Sequence, residues 1–401
     1  MGMLKMEIWS IVYEKPDDAR MGFGRAVWCL SKAFLQRGAY VSVIYEKFGS
    51  ESVDSEVVDG IHLYGIPSSG RLLSGRISFY TQVLHLIKNQ CSKSDVNVFF
   101  LHGPFSLPLA KPLKGLGLIA YHTFGTLVYE LKCSFQELIR TIDLRKLSTY
   151  ALDIPIETAG LRYVDMIIVP HDMAAQEFQK IYHVNEKKIL VSPYGQDVYD
   201  SFHDEKFFRE VEDFRSKFME KKIILFVGGS GWSRKGARCI LYAFGKLSKN
   251  LPATLIMTGK PTEQYLNLIR KLGFKVGEDV ILPGLVDDRT LALLYASCDV
   301  FTLPSLHEGF SQPVIEVMAY GKPVIVSPLA AYPTVKDGGE GFIINPEDID
   351  SYVYTLQKIL TDKELYMAMS KKAKLKAQKY SWNTIGSNLF EIFCQRFQKK
   401  N

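Results

Sequence analysis

Short apolar segments rich in β-forming residues alternate with amphipathic segments of helical spacing along the whole chain. In the first half the apolar segments lie at 6–13, 40–45, 96–101, 117–122, 165–170 and 188–193. In the second half they lie at 222–228, 253–259, 279–284, 299–305, 323–328 and 341–345. Apolar strands separated by helices are typical of parallel sheets that helices cover on both faces. Each half of the chain therefore predicts a doubly wound α/β domain.

A densely charged segment at 197–222 separates the two halves and contains no clear strand. Domain boundaries commonly fall in polar segments of this kind, and 401 residues are too many for one comfortable hydrophobic core. We therefore predict an N-terminal Rossmann-like domain at 1–205 and a C-terminal one at 206–379. The last segment, 380–401, carries apolar residues at helical spacing beyond the final strand, so we expect a helix that packs outside the second domain.

Composition and charge are those of an ordinary globular protein. Apolar residues make up 47% of the chain and charged residues 23%, and the formal net charge of +6 is modest for this length. That charge suits an anionic ligand or a loose contact with a membrane surface, and no nucleic-acid partner is expected. The six cysteines are scattered without a C-x-x-C pair, which favours a reduced, cytoplasmic compartment. The N-terminal segment MGMLKMEIWSIVYEKPDD is too short and too interrupted for a signal peptide, so none is expected, and no apolar run reaches the roughly 18–20 residues of a membrane span.

Ligands of open parallel sheets bind beyond the carboxyl ends of the strands, so the residues after each strand are the candidates for chemistry. Gly22 and Gly24 precede a predicted helix whose free amides could bind a phosphate. Glu46 follows the second strand, where the ribose ligand of a dinucleotide-binding fold lies. Ala26 and Val27 stand where the dinucleotide fingerprint needs its third glycine, and a plain tight turn explains the segment equally well.

Histidine and basic side chains follow other predicted strands. His122 could donate a hydrogen bond to a ligand oxygen, and His102 is a weaker candidate on the neighbouring strand; a satisfied polar group is the commoner role of a lone histidine. Arg234 and Lys235 precede a predicted helix, although cations there oppose the helix dipole. An anionic ligand would satisfy both the cations and the helix amides. A solvated basic turn is the alternative.

The segment SLHEGFSQPVIEVMAYGKPVIVS, at 305–327, places two glutamates beside a short predicted helix. Pro313 suits the first helical turn, and Gly321 suits the residue just past the end. Glu316 then lies in a buried first turn, where its carboxylate is stabilised by the dipole and can bind a vicinal diol. Glu308 precedes the helix, and the free amides of 309–312 point into the same space. The segment thus offers acceptors for hydroxyls and donors for anions.

This segment resembles the E-x7-E signature of retaining glycosyltransferases of family 4, which have the GT-B fold. That family carries a stretch of the type EGFGLPxxEAMAxGxPVI, and this chain has EGFSQPVIEVMAYGKPVIVS. Shorter motifs similar to those of the family follow in the family's order; they are GFGR (22–25), YHT (121–123), PYGQD (193–197) and FVGG with RKG (226–236). The final segment SWNTIGSNLFEIF is similar to the family's last helix, which crosses back onto the N-terminal domain. The resemblance covers essentially the whole chain and implies two Rossmann-like domains facing each other across a cleft.

The resemblance implies a role for each matching residue. Glu316 would bind the ribose hydroxyls of a nucleotide-sugar donor, and Glu308 would contact the transferred sugar and its developing positive charge. Lys235 and Arg234 would bind the diphosphate, and the amide of Gly22 would reach the same group. Further contacts are implied for His122 with the sugar, for the backbone of Leu285 and Val286 with the base, and for the loop of Gly309, Phe310 and Ser311 with sugar hydroxyls.

The implied reaction moves a hexose from a UDP- or GDP-hexose to a hydroxyl of a glycan, lipid or small-molecule acceptor. It retains the anomeric configuration and uses neither metal nor cofactor. In the resembling family the acceptor hydroxyl is thought to attack from the side of the leaving group, so Glu308 is not assigned as a nucleophile. The D-x-D sequence at 348–350 is a metal-binding motif in other glycosyltransferases, but a first-turn acid cluster explains it here.

Two positions depart from the family pattern, and two other functions remain open. Gly229 and Ser230 occupy a turn where many members have an arginine, and Ser311 with Gln312 replaces a Gly-Leu pair, so the identity of the sugar is not implied. An NAD-dependent oxidoreductase that uses GFGR and Glu46 is one alternative, although it leaves the RKG turn and the two glutamates unexplained. A non-catalytic sugar-nucleotide-binding member of the same fold is the other.

Overall fold

A computed structural model describes residues 5–16, 22–49, 52–68, 73–91, 96–132, 144–197, 202, 204–218, 221–229, 231–306 and 308–400. The chain forms two compact units. The first unit comprises Met1–Tyr194 together with Trp382–Asn401, and the second comprises Gly195–Ser381. The sequence analysis set the corresponding boundaries at 205/206 and 379/380. Met21, Cys133 and Ser230 lie outside the described residues.

The first unit is built on an eight-stranded sheet with the order β3-β4-β2-β1-β5-β6-β7-β8. Its strands are β1 (Met6–Val12), β2 (Tyr40–Phe48), β3 (Asp54–Val58), β4 (Ile61–Ser68), β5 (Val96–His102), β6 (Leu118–His122), β7 (Met166–Val169) and β8 (Ile189–Val191). Neighbouring strands are parallel except β3 and β4, which pair antiparallel. Every residue of β1 is buried, as expected of a central strand covered on both faces.

The β3–β4 hairpin is absent from the strands predicted for the first half. β3 lies at the sheet edge with exposed side chains, so its sequence, DSEVV, shows no apolar run. The turn between the strands does carry a signal, because Asp59 and Gly60 have φ values of 52° and 83°. An Asp-Gly pair with positive φ at both positions is the usual two-residue hairpin turn.

Helices cover this sheet, and one of them comes from the end of the chain. The helices with defined bounds are α1 (Gly22–Gln36), α2 (Leu73–Gln90), α3 (Ala110–Leu113), α4 (Leu144–Gly160), α5 (Asp172–Tyr182) and the C-terminal Trp382–Lys400. The C-terminal helix packs on α1 so closely that a Cβ added to Gly386 would lie 2.4 Å from the Ala33 Cβ. Arg37 Nε donates to Ser387 Oγ at 2.9 Å across the same contact.

The second unit contains a six-stranded sheet, entirely parallel, with the order β11-β10-β9-β12-β13-β14. Its strands are β9 (Lys222–Val227), β10 (Ala253–Thr258), β11 (Val280–Gly284), β12 (Val300–Leu303), β13 (Val324–Val326) and β14 (Gly341–Ile343). Its helices are α6 (Glu205–Ser216), α7 (Ala237–Leu247), α8 (Glu263–Lys271), α9 (Asp288–Ser297), α10 (Gln312–Ala319), α11 (Pro328–Ala331), α12 (Ile349–Thr361) and α13 (Lys363–Ala377). The C-terminal helix is therefore α14. The prediction of two parallel-sheet α/β domains is confirmed.

Candidate active site

Glu308 is held in the loop that follows β12, among oppositely charged side chains. The Lys235 Nζ lies 3.2 Å from Glu308 Oε1, and the Arg234 Nη1 lies 3.4 Å from Glu308 Oε2. The hydroxyl of Ser305 donates to Glu308 Oε1 at 2.8 Å. The Glu308 side chain is only 7% exposed, and that of Lys235 is 13% exposed. The structure thus joins three of the predicted site residues into one ion cluster and adds Ser305, which the sequence analysis did not identify.

The cluster forms because the turn before α7 interlocks with the loop after β12. Gly236 has φ of 78°, and a Cβ built there would lie 2.0 Å from the carbonyl oxygen of Pro304. The amide of Leu306 donates to the carbonyl of Arg234 at 2.8 Å. Only glycine adopts this conformation at this distance from a neighbouring backbone without strain. The RKG turn is therefore locked beside the segment that carries Glu308.

Electrostatics keep Glu308 ionised. Burial by itself raises the pKa of this carboxyl, but the charges of Lys235 and Arg234 and the hydrogen bond from Ser305 outweigh it, so the pKa falls below its ordinary value. A buried carboxylate with two cationic partners is costly to remove, because each buried ion then loses its counter-charge. The cations predicted to bind a diphosphate are thus oriented by an acid of the protein itself.

Glu316 lies on α10 and is only 6% exposed. The helix has Pro313 in its first turn and is followed by Gly321 with φ of 70°, as the sequence indicated. However, Glu316 is the fifth residue of α10, and the first turn contains no acid. Tyr295 of α9 donates its hydroxyl to Glu316 Oε2 at 2.9 Å. A tyrosine therefore orients the carboxylate that we expected the first-turn dipole to stabilise, and no motif marks that tyrosine in the sequence.

The loop between Glu308 and α10 contains the remaining predicted sugar contacts. Gly309 is half-buried, and Phe310 is buried with its ring centroid 6.4 Å from that of Tyr380. Ser311 occupies the position before α10 and is 1% exposed, but its side chain does not cap the helix. Among the residues that the structure describes, the Ser311 hydroxyl finds no hydrogen-bond partner. A buried, unsatisfied hydroxyl of this kind is uncommon in a purely structural position.

Leu285 and Val286 lie between β11 and α9, at the carboxyl end of a strand. The turn starts at Gly284, whose φ is 78°, and Asp287 then caps α9 by accepting from the Thr290 amide at 2.7 Å. Leu285 is 49% exposed, and Val286 is half-buried. Leu285 is therefore accessible from solvent at the carboxyl end of β11.

In the first unit, His122 ends β6 beside His102, which ends β5. Their Nδ1 atoms are 3.0 Å apart, and the His122 ring stacks on Tyr194 with a centroid distance of 5.0 Å. Burial lowers the pKa of His122 to about 3, and burial followed by the charge of His122 lowers that of His102 well below its ordinary value. Both rings are therefore neutral near pH 7, and one Nδ1 donates to the other.

Gly22 is the first residue of α1, in the same unit. The amide of Gly24 donates to Glu14 Oε1 at 3.1 Å, so an acid of the protein already lies at this helix start. Burial raises the pKa of Glu14 more than this hydrogen bond lowers it. The GFGR segment is thus a helix N-terminus that accommodates a carboxylate.

Two further sequence patterns have structural explanations. Asp348 caps α12 by accepting a hydrogen bond from the Ser351 amide at 3.0 Å. The D-x-D sequence is therefore explained by acids at the start of a helix, which was the alternative to a metal-binding motif. Within the described ranges, no cluster of three or more His, Cys, Asp or Glu side chains is arranged to hold a metal ion. The described helices also include none with the length and apolar character of a membrane-spanning segment.

Comparison with known families matches both halves of the chain. Residues 21–199 match the family model of Glycosyltransferase Family 4, and residues 221–362 match that of Glycosyl transferases group 1. The chain belongs to this glycosyltransferase family. The predicted resemblance to this family is thereby confirmed, whereas neither family model supports the alternative of a dinucleotide-dependent oxidoreductase.

Curated relatives of this chain are similar to it over part of its length. A serotype-specific mannosyltransferase, WbdA of Escherichia coli, is 29% identical over 171 residues, which are 41% of this chain and 21% of the relative. A glycosyltransferase of Methanocaldococcus jannaschii is 29% identical over 232 residues, which are 54% of this chain and 57% of the relative. The matched part is thus between about a fifth and three fifths of such relatives.

Solved structures show that this chain has the GT-B fold. A sucrose-phosphate synthase of Thermosynechococcus elongatus superimposes with a TM-score of 0.79 at 18% identity, over 98% of this chain and all of the other. The Anabaena protein HepE, in its complex with UDP-glucose, gives a TM-score of 0.73 at 15% identity, over 97% of this chain and 99% of the other. These likenesses support the fold and say nothing further about the site.

Proposed function

We propose that the protein transfers a hexosyl group from a UDP- or GDP-hexose to a hydroxyl acceptor, with retention of configuration and without a metal ion. The observation that carries this proposal is the ion cluster of Lys235, Arg234 and Glu308. Two cations fixed by one buried carboxylate provide a preorganised positive site that needs no rearrangement during reaction. The HepE structure contains UDP-glucose, which supports a donor of this class for the fold.

The cations have the role of stabilising the departing nucleoside diphosphate. A lysine ammonium has three N–H donors and a guanidinium five, so both can donate to phosphate oxygens while Glu308 holds them. Positive charge placed where negative charge develops lowers the barrier to breaking the glycosidic bond. The ion cluster carries a net formal charge of plus one, because Glu308 offsets one of its two cations, and this charge serves in the proposed step in place of a metal ion.

Glu308 acts on the sugar through charge rather than as a nucleophile. Two cations and the Ser305 hydroxyl engage its oxygens, and its lowered pKa makes it a weak base. Its negative charge stabilises the developing positive charge of the transferred sugar. The acceptor hydroxyl then attacks from the side of the leaving group, a phosphate oxygen takes its proton, and the anomeric configuration is retained.

The other residues bind and orient the donor. Glu316, oriented by Tyr295, accepts hydrogen bonds from the ribose hydroxyls, and the Ser311 hydroxyl and the amides of Gly309 and Phe310 contact the sugar. The backbone of Leu285 and Val286 contacts the base. From the first unit, we propose that neutral His122 hydrogen-bonds a sugar hydroxyl and that the Gly22 amide binds the diphosphate.

Release of nucleoside diphosphate from a panel of UDP-, GDP- and ADP-sugars tests this proposal. Lys235→Ala and Glu316→Ala should each lower the rate at least a hundredfold, because each removes a contact to the donor. Lys246→Ala is the matched control, since Lys246 forms an exposed ion pair with Asp350 and should leave the rate unchanged. Near-normal release by both site variants would overturn the proposal.

Two additional measurements separate the finer claims. NMR of the glycoside product reports whether the anomeric configuration of the donor is retained, and inversion would refute the retaining mechanism. An excess of EDTA should leave the rate unchanged. If nucleotide binds but the wild-type protein releases no diphosphate over time from any donor, the protein is a non-catalytic binder of sugar nucleotides.

A further inference from the structure

A fully buried carboxylate of the first unit has no part in the reaction proposed above. Glu157 lies near the end of α4, and its exposed fraction is 0%. Three neutral groups donate to it: the Tyr121 hydroxyl to Oε1 at 2.9 Å, the Leu127 amide to Oε2 at 3.0 Å, and the Tyr182 hydroxyl to Oε2. Among the described groups that shift its pKa there is no cation. Glu157 is thus a buried acid that neutral donors hold.

The stability of the fold gives no reason for a carboxylate at this position. Burial raises the pKa of Glu157 from 4.5 to about 6, although the hydrogen bonds from its three donors oppose this rise. Near pH 7 the ionised side chain is therefore less favourable in the folded protein than in the unfolded chain. Glutamine has the same shape and carries no charge to desolvate. A residue that lowers stability in this way is expected where function requires it.

Two of the three donors flank the segment that follows His122. Tyr121 directly precedes His122 in β6, and Leu127 begins a helical turn shortly after it. The residues between that histidine and the turn, 123–126, form a loop at the carboxyl end of β6, which we call the β6 loop. One carboxyl group therefore binds the chain on both sides of His122 and the β6 loop.

The β6 loop has further contacts that connect its position to that of His122. The Glu177 carboxylate of α5 accepts from the Thr126 amide at 3.3 Å and from the Thr126 hydroxyl at 3.2 Å. In the middle of the loop, the Phe124 ring stacks on Tyr194 with a centroid distance of 4.5 Å, and His122 stacks on the same tyrosine. A displacement of the loop therefore also changes the surroundings of His122.

We propose that Glu157 is a positioning residue of the transfer reaction, and that its ionised form holds the β6 loop and His122 in the orientation that contacts the transferred sugar. The proposal rests on the function proposed above. Hydrogen bonds to an ionised acceptor are roughly twice as strong as those to a neutral one. Protonation of Glu157 therefore weakens its bonds to Tyr121 and Leu127 together and loosens both ends of the loop. Because Glu157 is fully buried, it touches no substrate and acts through His122.

The described titratable groups that face Glu157 come from three elements. Burial raises the pKa values of Tyr121 in β6 and Tyr182 in α5 well above neutrality, so both hydroxyls stay protonated. Glu130, in the helical turn after the β6 loop, raises the pKa of Glu157 through its negative charge. Burial also raises the pKa of Glu177 above 4.5, so a second acid ionises beside the loop. Substitution of Glu157 leaves that second acid in place, so comparison with the wild-type protein isolates Glu157.

Glu157→Gln tests the proposal, because it removes the charge and preserves the size of the side chain. At pH 7.5 this variant should release nucleoside diphosphate at least fivefold more slowly than the wild-type protein. Its Kd for UDP and GDP, measured by titration calorimetry, should be unchanged, because no proposed nucleotide contact involves the β6 loop. Between pH 7 and 5 the wild-type rate should fall at least threefold with a midpoint near 6, and this fall should be absent in Glu157→Gln.

Thermal unfolding separates a positioning role from a purely structural one. At pH 7.5 Glu157→Gln should unfold at a higher temperature than the wild-type protein, because it buries no charge, and yet react more slowly. A variant that is both slower and less stable would assign Glu157 a structural role and overturn the proposal. Glu186→Gln is the matched control, since Glu186 is an exposed acid of the same unit and should leave the rate and its pH profile unchanged.

Hydrogen exchange observes the loop without relying on turnover. At pH 7.5 the amides of 123–127 should exchange at least fivefold faster in Glu157→Gln than in the wild-type protein, because the bond from Leu127 to an ionised acceptor is lost. The amides of β1, which is buried along its whole length, should exchange at the same rate in both proteins.

Several results would overturn the positioning role. They are an unchanged rate in Glu157→Gln, a fall of its rate centred near pH 6, and a joint loss of rate and nucleotide affinity, which indicates a general disturbance of the fold. If the wild-type protein releases no diphosphate from any donor, the proposed transfer reaction fails instead. Hydrogen exchange then decides the inference about Glu157: faster exchange of the loop in Glu157→Gln supports it, and unchanged exchange overturns it.

Discussion

We expect a methyl group added at Gly236 to disturb the ion cluster. Alanine there must adopt φ near 78°, which costs an L-residue about 1–2 kcal/mol. Its Cβ would also lie 2.0 Å from the Pro304 carbonyl oxygen, so the backbone of one segment must move. Overpacking of this kind typically costs about 1–3 kcal/mol more. We therefore expect Gly236→Ala to destabilise the protein by about 2–5 kcal/mol. This figure leaves out the stabilisation that alanine gives by lowering the conformational entropy of the unfolded chain.

Gly273→Ala isolates the steric part of that cost. Gly273 has φ of 81°, but a Cβ built there meets nothing within 4 Å. Both variants share the backbone strain and the reduced entropy of the unfolded chain, so their difference of about 1–3 kcal/mol reports the contact with Pro304 alone. At about 2–4 °C per kcal/mol, thermal unfolding of Gly236→Ala should occur several degrees below that of Gly273→Ala.

The activity of the two variants should differ even more. A shift between the RKG turn and the loop after β12 separates Lys235 from Glu308, so Gly236→Ala should release diphosphate at least tenfold more slowly. Gly273→Ala should release it at the wild-type rate. Equal unfolding temperatures together with equal rates in the two variants would refute the interlocking of these segments.

Two predictions concern the dependence of stability on pH, each measured by urea unfolding between pH 3.5 and 7.5. Burial, opposed by hydrogen bonds from Tyr182, Leu127 and Tyr121, raises the pKa of Glu157 from 4.5 to about 6. The stabilising contribution of Glu157 is thus present below pH 4.5 and lost as the pH rises through 6. Relative to Glu157→Gln, the free energy of unfolding of the wild-type protein should therefore fall by about 2 kcal/mol across that interval. Profiles of unfolding free energy against pH that run parallel in the two proteins would contradict this. The pKa of Glu308 is instead below 4.5, so its contribution is present above that pH and lost on further acidification. Glu308→Gln should therefore be less stable by about 1–3 kcal/mol at pH 7, and this difference should narrow as the pH falls below 4.5; a difference that widens on acidification would count against the ion cluster.

Local sequence chemistry predicts most of the fold and the outline of the site. Apolar runs mark the strands of both sheets because strands buried on both faces have few polar side chains. Pro313 and Gly321 delimit α10 because their backbone constraints act within a single turn. The β3–β4 hairpin escaped this reasoning, because β3 is exposed and lacks an apolar run, and the apolar residues of buried β4 are interrupted by His62, Gly65 and Pro67.

The partners of each side chain were not predictable in the same way. Nothing in the spacing of Arg234, Lys235 and Glu308 shows that they meet, because more than seventy residues separate the turn from the loop. Their contact depends on a positive φ at Gly236 and on its close approach to Pro304. The pair of Tyr295 with Glu316 and that of Arg76 with Asp153 arise in the same way from the packing of separate helices.

The sequence by itself determined the two α/β domains, their strands other than β3 and β4, and the residue types that could bind a nucleotide sugar. These properties follow from periodicity and from backbone preferences, which act over a few neighbouring residues. Only the tertiary structure decided which charges neutralise one another and which carboxylate a tyrosine orients. Those outcomes depend on distances of a few ångströms between segments far apart in the chain, and Coulomb and hydrogen-bond energies change steeply over such distances.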